Sequence, residues 1–362
     1  MFSRPGAHSG RREPFGVCAG IGRLELSVSD GTCGNRASPG LRQRPGVQAR
    51  PAHPLGAVQL AEIYGRGWPA SRPLLRSAGW RPDTGRSSSQ TPRHCEGVFT
   101  GGVAGGQAVA EAAGRLIRPV TLELGGKSPL IIFADADLDE AVRGAVLANY
   151  LCQGQVCSNA ARVFVERRIL DDFVDRLLRA VAGLRVGDPP MLTETAIGAS
   201  ISSQHAGTSL HRLAGARPRA PSGCSAATGV EVPGLETGHF LRPCVLANCS
   251  DGMRAVREEI FGAFDTEAEA VARANATEFG RVGGVFTRDL ARAHRVIGEL
   301  QAGSLYINTY NSYPARVPFG GYKMSGFGRE NCAESLRSYS QVKSVYVECA
   351  ASSCLPCPRA DL

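Results

Sequence analysis

Residues 120–165 read VTLELGGKSPLIIFADADLDEAVRGAVLANYLCQGQVCSNAARVFV, and the order of patterns within them decides the fold. VTLEL has a strand pattern ended by Gly125 and Gly126. SPLIIFADAD then runs continuously apolar before its acidic end, as strands buried on both sheet faces do in α/β proteins. DLDEAVRGAVLANYLC opens on acidic residues and carries Leu138, Val142, Ala145 and Val146 on one stripe, which predicts a capped helix. ARVFVE is a further strand, and residues 167–189 place Ile169, Phe173, Leu177, Val181 and Leu184 on one helical face before Gly187 and Pro189 end it. Strands alternating with helices predict an α/β architecture with a largely parallel sheet.

Outward from this core the texture is uneven. Order extends from Val98 to about Cys349, with a weaker stretch over residues 200–230. Residues 1–56 are rich in Arg, Gly, Pro and Ser without a period of 2 or 3.6, and are expected to be disordered. An Arg-rich, acid-poor start also fits a mitochondrial transit peptide, but no clear amphipathic helix accompanies it. VQLAEIYGRG from Val58 has helical spacing, and residues 66–96 read as loop or disorder.

Composition narrows the function class. The chain has 362 residues, 43% of them hydrophobic, enough for two or three domains with a real core. Its formal charge of +8 comes almost wholly from arginine, since only Lys127, Lys323 and Lys343 are lysines. No aromatic interleaving or known binding module accompanies the arginines, so neither nucleic acid nor a membrane is an expected partner. Twelve cysteines at irregular spacing in a chain this long fit reduced thiols and a cytoplasmic location. Cys354-Leu-Pro-Cys357 is a lone CxxC without a second pair, and no metal is expected.

Four places invite chemistry. Cys157 lies on the connection between a helix and a strand, where a side chain can face a cleft; it reads as a small buried hydrophobe, a metal ligand or a nucleophile. A nucleophilic thiolate needs donors, and Gln155, Ser158 and Asn159 are near in sequence. Glu123 ends a strand before two glycines, as a general base or as a surface glutamate at a turn. FTGGVAGG (residues 99–106) is a glycine-rich turn running into a helix, which suits a pyrophosphate. REEIFG (residues 257–262) also pairs acidic groups with an aromatic, as a contact to a nicotinamide ribose would.

In this order LELGGKSP, GQVCSNAARVFV, EEIFG, GVFTRDLARAHRV, LQAGSLYIN and PFGGYKMSGFGRE resemble the signature segments of the NAD(P)-dependent aldehyde dehydrogenase superfamily, over about residues 98–349. GQVCSN and the segment around residues 308–332 are most similar to the branch that acts on betaine aldehyde and 4-trimethylaminobutyraldehyde. The resemblance implies a catalytic domain over 125–330, an incomplete Rossmann-like NAD-binding portion over 57–124, an oligomerisation arm over 331–349 and a tail over 350–362. It implies that Cys157 attacks the aldehyde carbon, that the thiohemiacetal passes hydride to NAD, and that Glu123 activates the water that hydrolyses the remaining thioester. Gly101, Gly102, Gly106, Leu124, Glu259 and Phe261 correspond to cofactor contacts, and Tyr310, Tyr313 and Phe319 are candidate walls of an aromatic cage for a quaternary ammonium. Much of the family's N-terminal half is missing before this region, so the resemblance also admits an inactive splice or gene-model product that only joins full-length subunits.

Overall fold

The structure is a computed structural model and describes residues 6–21, 44–49, 62, 75–78, 96–188, 195–214, 228–246 and 260–348. Its centre is the segment quoted above. Strand β7 (Pro129–Ile132) is buried throughout and pairs in parallel with β8 (Arg162–Glu166) on one side and β15 (Val282–Phe286) on the other. β13 (Ile260–Phe264) and β16 (Ser304–Ile307) complete a five-stranded, all-parallel sheet in the order β13-β8-β7-β15-β16.

Side-chain alternation builds a core on each face. Leu130 and Ile132 of β7, with Val163 and Val165 of β8, pack against helices α2 (Leu138–Tyr150) and α3 (Leu170–Ala182) through Ala141, Val142, Ala145, Phe173 and Leu177. Ile131 and Phe164 point the other way, onto Ala270 and Val271 of α5 (Glu267–Asn275) and Ala293 and Val296 of α6 (Leu290–Glu299). Three of these helix starts are fixed by a side-chain cap: in α2 Asp137 accepts from Glu140 N, in α5 Thr266 from Glu269 N and in α6 Asp289 from Arg292 N. The observed buried stripe of α2 is Ala141, Val142, Ala145 and Ala148; Leu138 and Val146, expected on it, are only partly buried at its margin.

The second sheet has the order β18-β6-β5-β2-β3-β4, where β6 is Val120–Leu124, β5 Glu96–Gly101, β2 Val17–Ile21, β3 Arg44–Ala49, β4 Leu75–Ala78 and β18 Gly326–Phe327. All pairs are parallel except β18 with β6. The chain begins in the middle at β2, runs outward to β4, then returns to the other side of β2 as β5, so the strand order switches between β2 and β5. Ligands of open α/β sheets bind at such a switch, beyond the carboxyl ends of the strands.

This corrects several expectations. Residues 1–56 contribute β1 (Gly6–Pro14), β2 and β3, and the dinucleotide-type sheet holds five parallel strands drawn partly from them. Composition hid these strands because pairing partners from elsewhere in the chain make them: β1 is antiparallel to β19 (Ser340–Glu348), with Gly6 opposite Glu348 and Pro14 opposite Ser340. The stretch read as loop over 66–96 likewise contains β4, and the weak stretch after residue 200 contains helix α4 (Ser203–Ala214). The glycine-rich turn is shorter than expected, since helix α1 (Val103–Arg115) starts directly after Gly102. The helical segment at residues 58–67, apart from Glu62, and the CxxC tail lie outside the described residues.

Short ribbons fill the margins: β9 (Arg185–Val186) with β10 (Thr195–Ile197), β11 (Gly229–Val230) with β12 (Phe240–Leu241), and β14 (Phe279–Gly280) with β17 (Tyr322–Lys323). The last helix, α7 (Ser335–Ser338), leads into β19.

Candidate active site

The two sheets are joined by residues 125–128, which run from the carboxyl end of β6 to the start of β7. Arg162 anchors this link. Buried at the first position of β8, it donates to Lys127 O (3.0 and 2.7 Å), Arg273 O (2.9 Å) and Ala274 O (2.7 Å), and so ties the link to the last turn of α5. Ser325 Oγ donates to Gly125 O (2.7 Å) from the other side. Glu123 sits on β6 between Thr100 and Gly326 and is 3% exposed, which removes the surface-glutamate reading.

Cys157 reaches the same place from the five-stranded sheet, on the connection that leads into β8. After α2 the chain makes a single turn, Leu151–Gly154, in which Cys152, Gln153 and Gly154 have φ of 51°, 59° and 74°. Left-handed geometry at two non-glycine residues is strained by roughly 1–3 kcal/mol each, and such strain persists where surrounding contacts enforce it. Here they do. Asn159 Nδ2 donates to Asn149 O (3.4 Å) and Leu151 O (3.3 Å), satisfying carbonyls at the end of α2, and Ala160 N donates to Ala148 O (2.8 Å). Asn311, itself at φ 51°, donates to Asn159 Oδ1 (2.9 Å) and accepts from Ser158 Oγ (2.9 Å) and Tyr313 OH (2.7 Å).

Of the donors expected for the sulfur, Ser158 and Asn159 are therefore engaged in holding the loop, and Gln155 Oε1 accepts from Ile201 N (3.2 Å). The polar contact to Cys157 Sγ comes instead from Arg281, whose Nη2 donates at 3.5 Å. The same guanidinium forms an ion pair with Glu123 through Nη1 and lies 4.5 Å from the Phe319 ring centroid. Its side chain is 0% exposed. Burial pulls the guanidinium's pKa down, but the charges of Cys157 and Glu123 outweigh it and leave the pKa raised. The structure thus brings both predicted catalytic residues together through an arginine that motif reading missed.

Arg281 stands immediately before β15, where the backbone packed against it is glycine. A Cβ on Gly126 would collide with Arg281 Cβ, which cannot move without the strand. Gly126→Ala is expected to destabilise the protein by about 1–3 kcal/mol through overpacking, seen as a lower urea midpoint; an unchanged midpoint would show that the link yields freely.

Of the predicted cofactor residues, Gly101 ends β5, Gly102 and Gly106 lie at the start of α1, and Leu124 ends the neighbouring β6, all beside the switch. Gly102 is the N-cap of α1 with open space around it, no side chain caps the first turn, and that turn carries no acidic residue. Its N–H groups therefore suit an anion such as a pyrophosphate. Gly101 ends β5 and packs against Phe99. Gly106 lies inside α1, where a Cβ would come within 2.6 Å of Leu124 Cδ2, so these two residues set how closely helix and sheet approach. Phe261 is the second residue of β13, opposite Val163, at the same end of the sheet as Cys157, while Glu259 lies outside the described residues.

The candidate cage is partly taken. Tyr310 is 1% exposed and packs on Tyr306 at 5.3 Å between ring centroids, and Tyr313 meets Phe319 edge-on at 5.4 Å. Burial, with Tyr313 and Cys157 nearby, raises the Tyr306 phenol well above its ordinary range. One face of Phe319 already carries the Arg281 cation. Among the described residues no group of three or more His, Cys, Asp or Glu could hold a metal ion, and no helix is long and apolar enough to cross a membrane.

Comparison with known proteins places this geometry. The aldehyde dehydrogenase family model matches residues 48–345. Human 4-trimethylaminobutyraldehyde dehydrogenase is 44% identical over 361 residues, covering 95% of this chain and 71% of that protein; the mouse enzyme of the same name is 42% identical with the same coverage. Betaine aldehyde dehydrogenase from Staphylococcus aureus, solved with NAD+, superposes with a TM-score of 0.89 at 29% identity, over 96% of this chain and 71% of that one. The NAD+ complex of a Bacillus cereus aldehyde dehydrogenase gives 0.88 at 31% identity, over 96% and 71%. The chain belongs to the aldehyde dehydrogenase family and has its α/β fold. The likeness covers nearly the whole chain, so it extends well before residue 98, where the motifs alone began.

Proposed function

We propose that this chain oxidises an aminoaldehyde, of the kind exemplified by 4-trimethylaminobutyraldehyde or betaine aldehyde, to the carboxylic acid with NAD. The observation that carries the reading is the convergence of Cys157 and Glu123, two buried or half-buried groups from different sheets, on one guanidinium. The names of the relatives at 44% and 42% identity support the substrate class.

Cys157, as thiolate, attacks the aldehyde carbon, and its own backbone N–H would donate to the oxyanion that forms. When bound, NAD supplies the hydride acceptor. The first turn of α1, beyond the β2/β5 switch, would hold its pyrophosphate, with Gly101 and Gly102 giving the backbone close approach and Gly106 and Leu124 setting the helix position. Phe261 and Glu259 are proposed to contact its nicotinamide ribose. Loss of hydride leaves a thioester on Cys157. Glu123 then takes a proton from water as it adds to the thioester carbon, and the C–S bond breaks to release acid and thiolate. The exposed apolar side chains Val342, Tyr346 and Val347 on β19 suit an oligomeric contact.

The test is NADH formation with 4-trimethylaminobutyraldehyde against butyraldehyde, which lacks the ammonium group. The reading expects a higher kcat/KM for the charged substrate. Equal values would remove the aminoaldehyde specificity, and no NADH from folded protein with either substrate would remove the activity.

A further inference from the structure

The mechanism above does not use Arg281, yet the guanidinium touches both groups that do the work. We propose that Arg281 is a positioning residue whose single buried cation is shared between the nucleophile and the base, keeping Cys157 as thiolate and Glu123 as carboxylate. This rests on the assignment of those two residues under Proposed function.

The geometry limits what else Arg281 can be doing. Its Nη2 is 3.5 Å from Cys157 Sγ, its Nη1 pairs with Glu123, and its flat face lies over Phe319 at 4.5 Å, so both terminal nitrogens and one face of the guanidinium are engaged within the site. A structural arginine satisfying carbonyls looks different, as Arg162 shows with four donations to backbone oxygens. A cation stabilises negative charge placed this close to it, and the low polarity around a fully buried cation strengthens the effect. The other titratable groups facing this point are Tyr306 from β16 and Tyr313 from the loop after it, and the Tyr306 phenol is held neutral across the working pH range by burial. One cation then serves two anions. Removing the carboxylate frees the guanidinium for the sulfur, whereas removing the guanidinium leaves the sulfur without its donor.

That sharing predicts opposite effects from neutralising the two partners, which loss of packing does not produce. The readout is alkylation of Cys157 by iodoacetamide, in which the thiolate forms a C–S bond and iodide leaves. It needs neither aldehyde nor NAD. At pH 7, Arg281→Leu is expected to slow alkylation about tenfold or more and move the rise of its pH profile to higher pH. Arg281→Lys recovers most of the rate. Glu123→Gln is expected to speed alkylation several-fold. Should Arg281→Leu fail to fold because it strands Glu123, the double variant Arg281→Leu/Glu123→Gln leaves no unpaired carboxylate and must still react about tenfold more slowly than Glu123→Gln alone. Equal rates and superimposable pH profiles in the folded variants, or slower alkylation in Glu123→Gln, would overturn the proposal. Failure of the proposed function is separate: it appears as aldehyde oxidation that survives Cys157→Ala, whatever the alkylation rates.

Discussion

Cys157→Ala is expected to remove aldehyde oxidation by roughly 10⁴-fold or more, because no other group described in the site can form the covalent intermediate. The thiol stands where the strained Leu151–Gly154 turn and the Ser158–Asn311–Asn159 network put it, and an alanine there leaves those contacts in place. The variant should therefore fold with an unchanged urea midpoint and bind NAD with unchanged affinity. Loss of turnover with retained cofactor binding is the signature of a missing nucleophile. Residual turnover within about tenfold of the parent protein would mean that the chemistry runs through another residue.

Glu123→Gln carries the second large effect. A glutamine keeps the shape and an acceptor oxygen for Arg281 but cannot take a proton, so thioester hydrolysis should slow about 10²–10⁴-fold, the usual contribution of a positioned base. Acylation does not need the base. Rapid mixing with aldehyde and NAD should therefore show a burst of NADH close to one equivalent per site, followed by a steady rate reduced by that factor. A variant that lost the burst as well would place Glu123 in the first half-reaction. Its stability is a secondary readout: breaking a buried ion pair by removing one partner costs about 3–5 kcal/mol, and the retained amide oxygen should keep the loss below that range.

The five-stranded sheet was legible where local pattern and tertiary environment agree. The run from Pro129 to Ile132 is apolar because both its faces are covered, and Phe173, Leu177 and Val181 recur at helical spacing because one face of α3 is buried. The strands from residues 6–49 were not legible. Gly6–Pro14 contains no alternation, and it becomes a strand through its pairing with Ser340–Glu348 at the far end of the chain. Cys157 and Glu123 could be picked out, but not their relation, since residues 34 positions apart meet only through the geometry of the link over 125–128. Arg281 went unnoticed although a signal was present: it is a lone charge in FGRVGGVF (residues 279–286), between a glycine and a fully buried strand, where a cation needs a buried partner.

The claim at the centre of this account is that aldehyde carbon becomes covalently bound to Cys157 between the two half-reactions. It is tested most directly by quenching Glu123→Gln with acid milliseconds after mixing with 4-trimethylaminobutyraldehyde and NAD, then locating the modification by peptide mass spectrometry. The account predicts that the peptide containing Cys157 gains the mass of the aldehyde less two hydrogens, with the modification on the sulfur and absent when NAD is omitted. An unmodified Cys157 in a sample that has produced its burst of NADH, or the same mass gain on another residue, would contradict it.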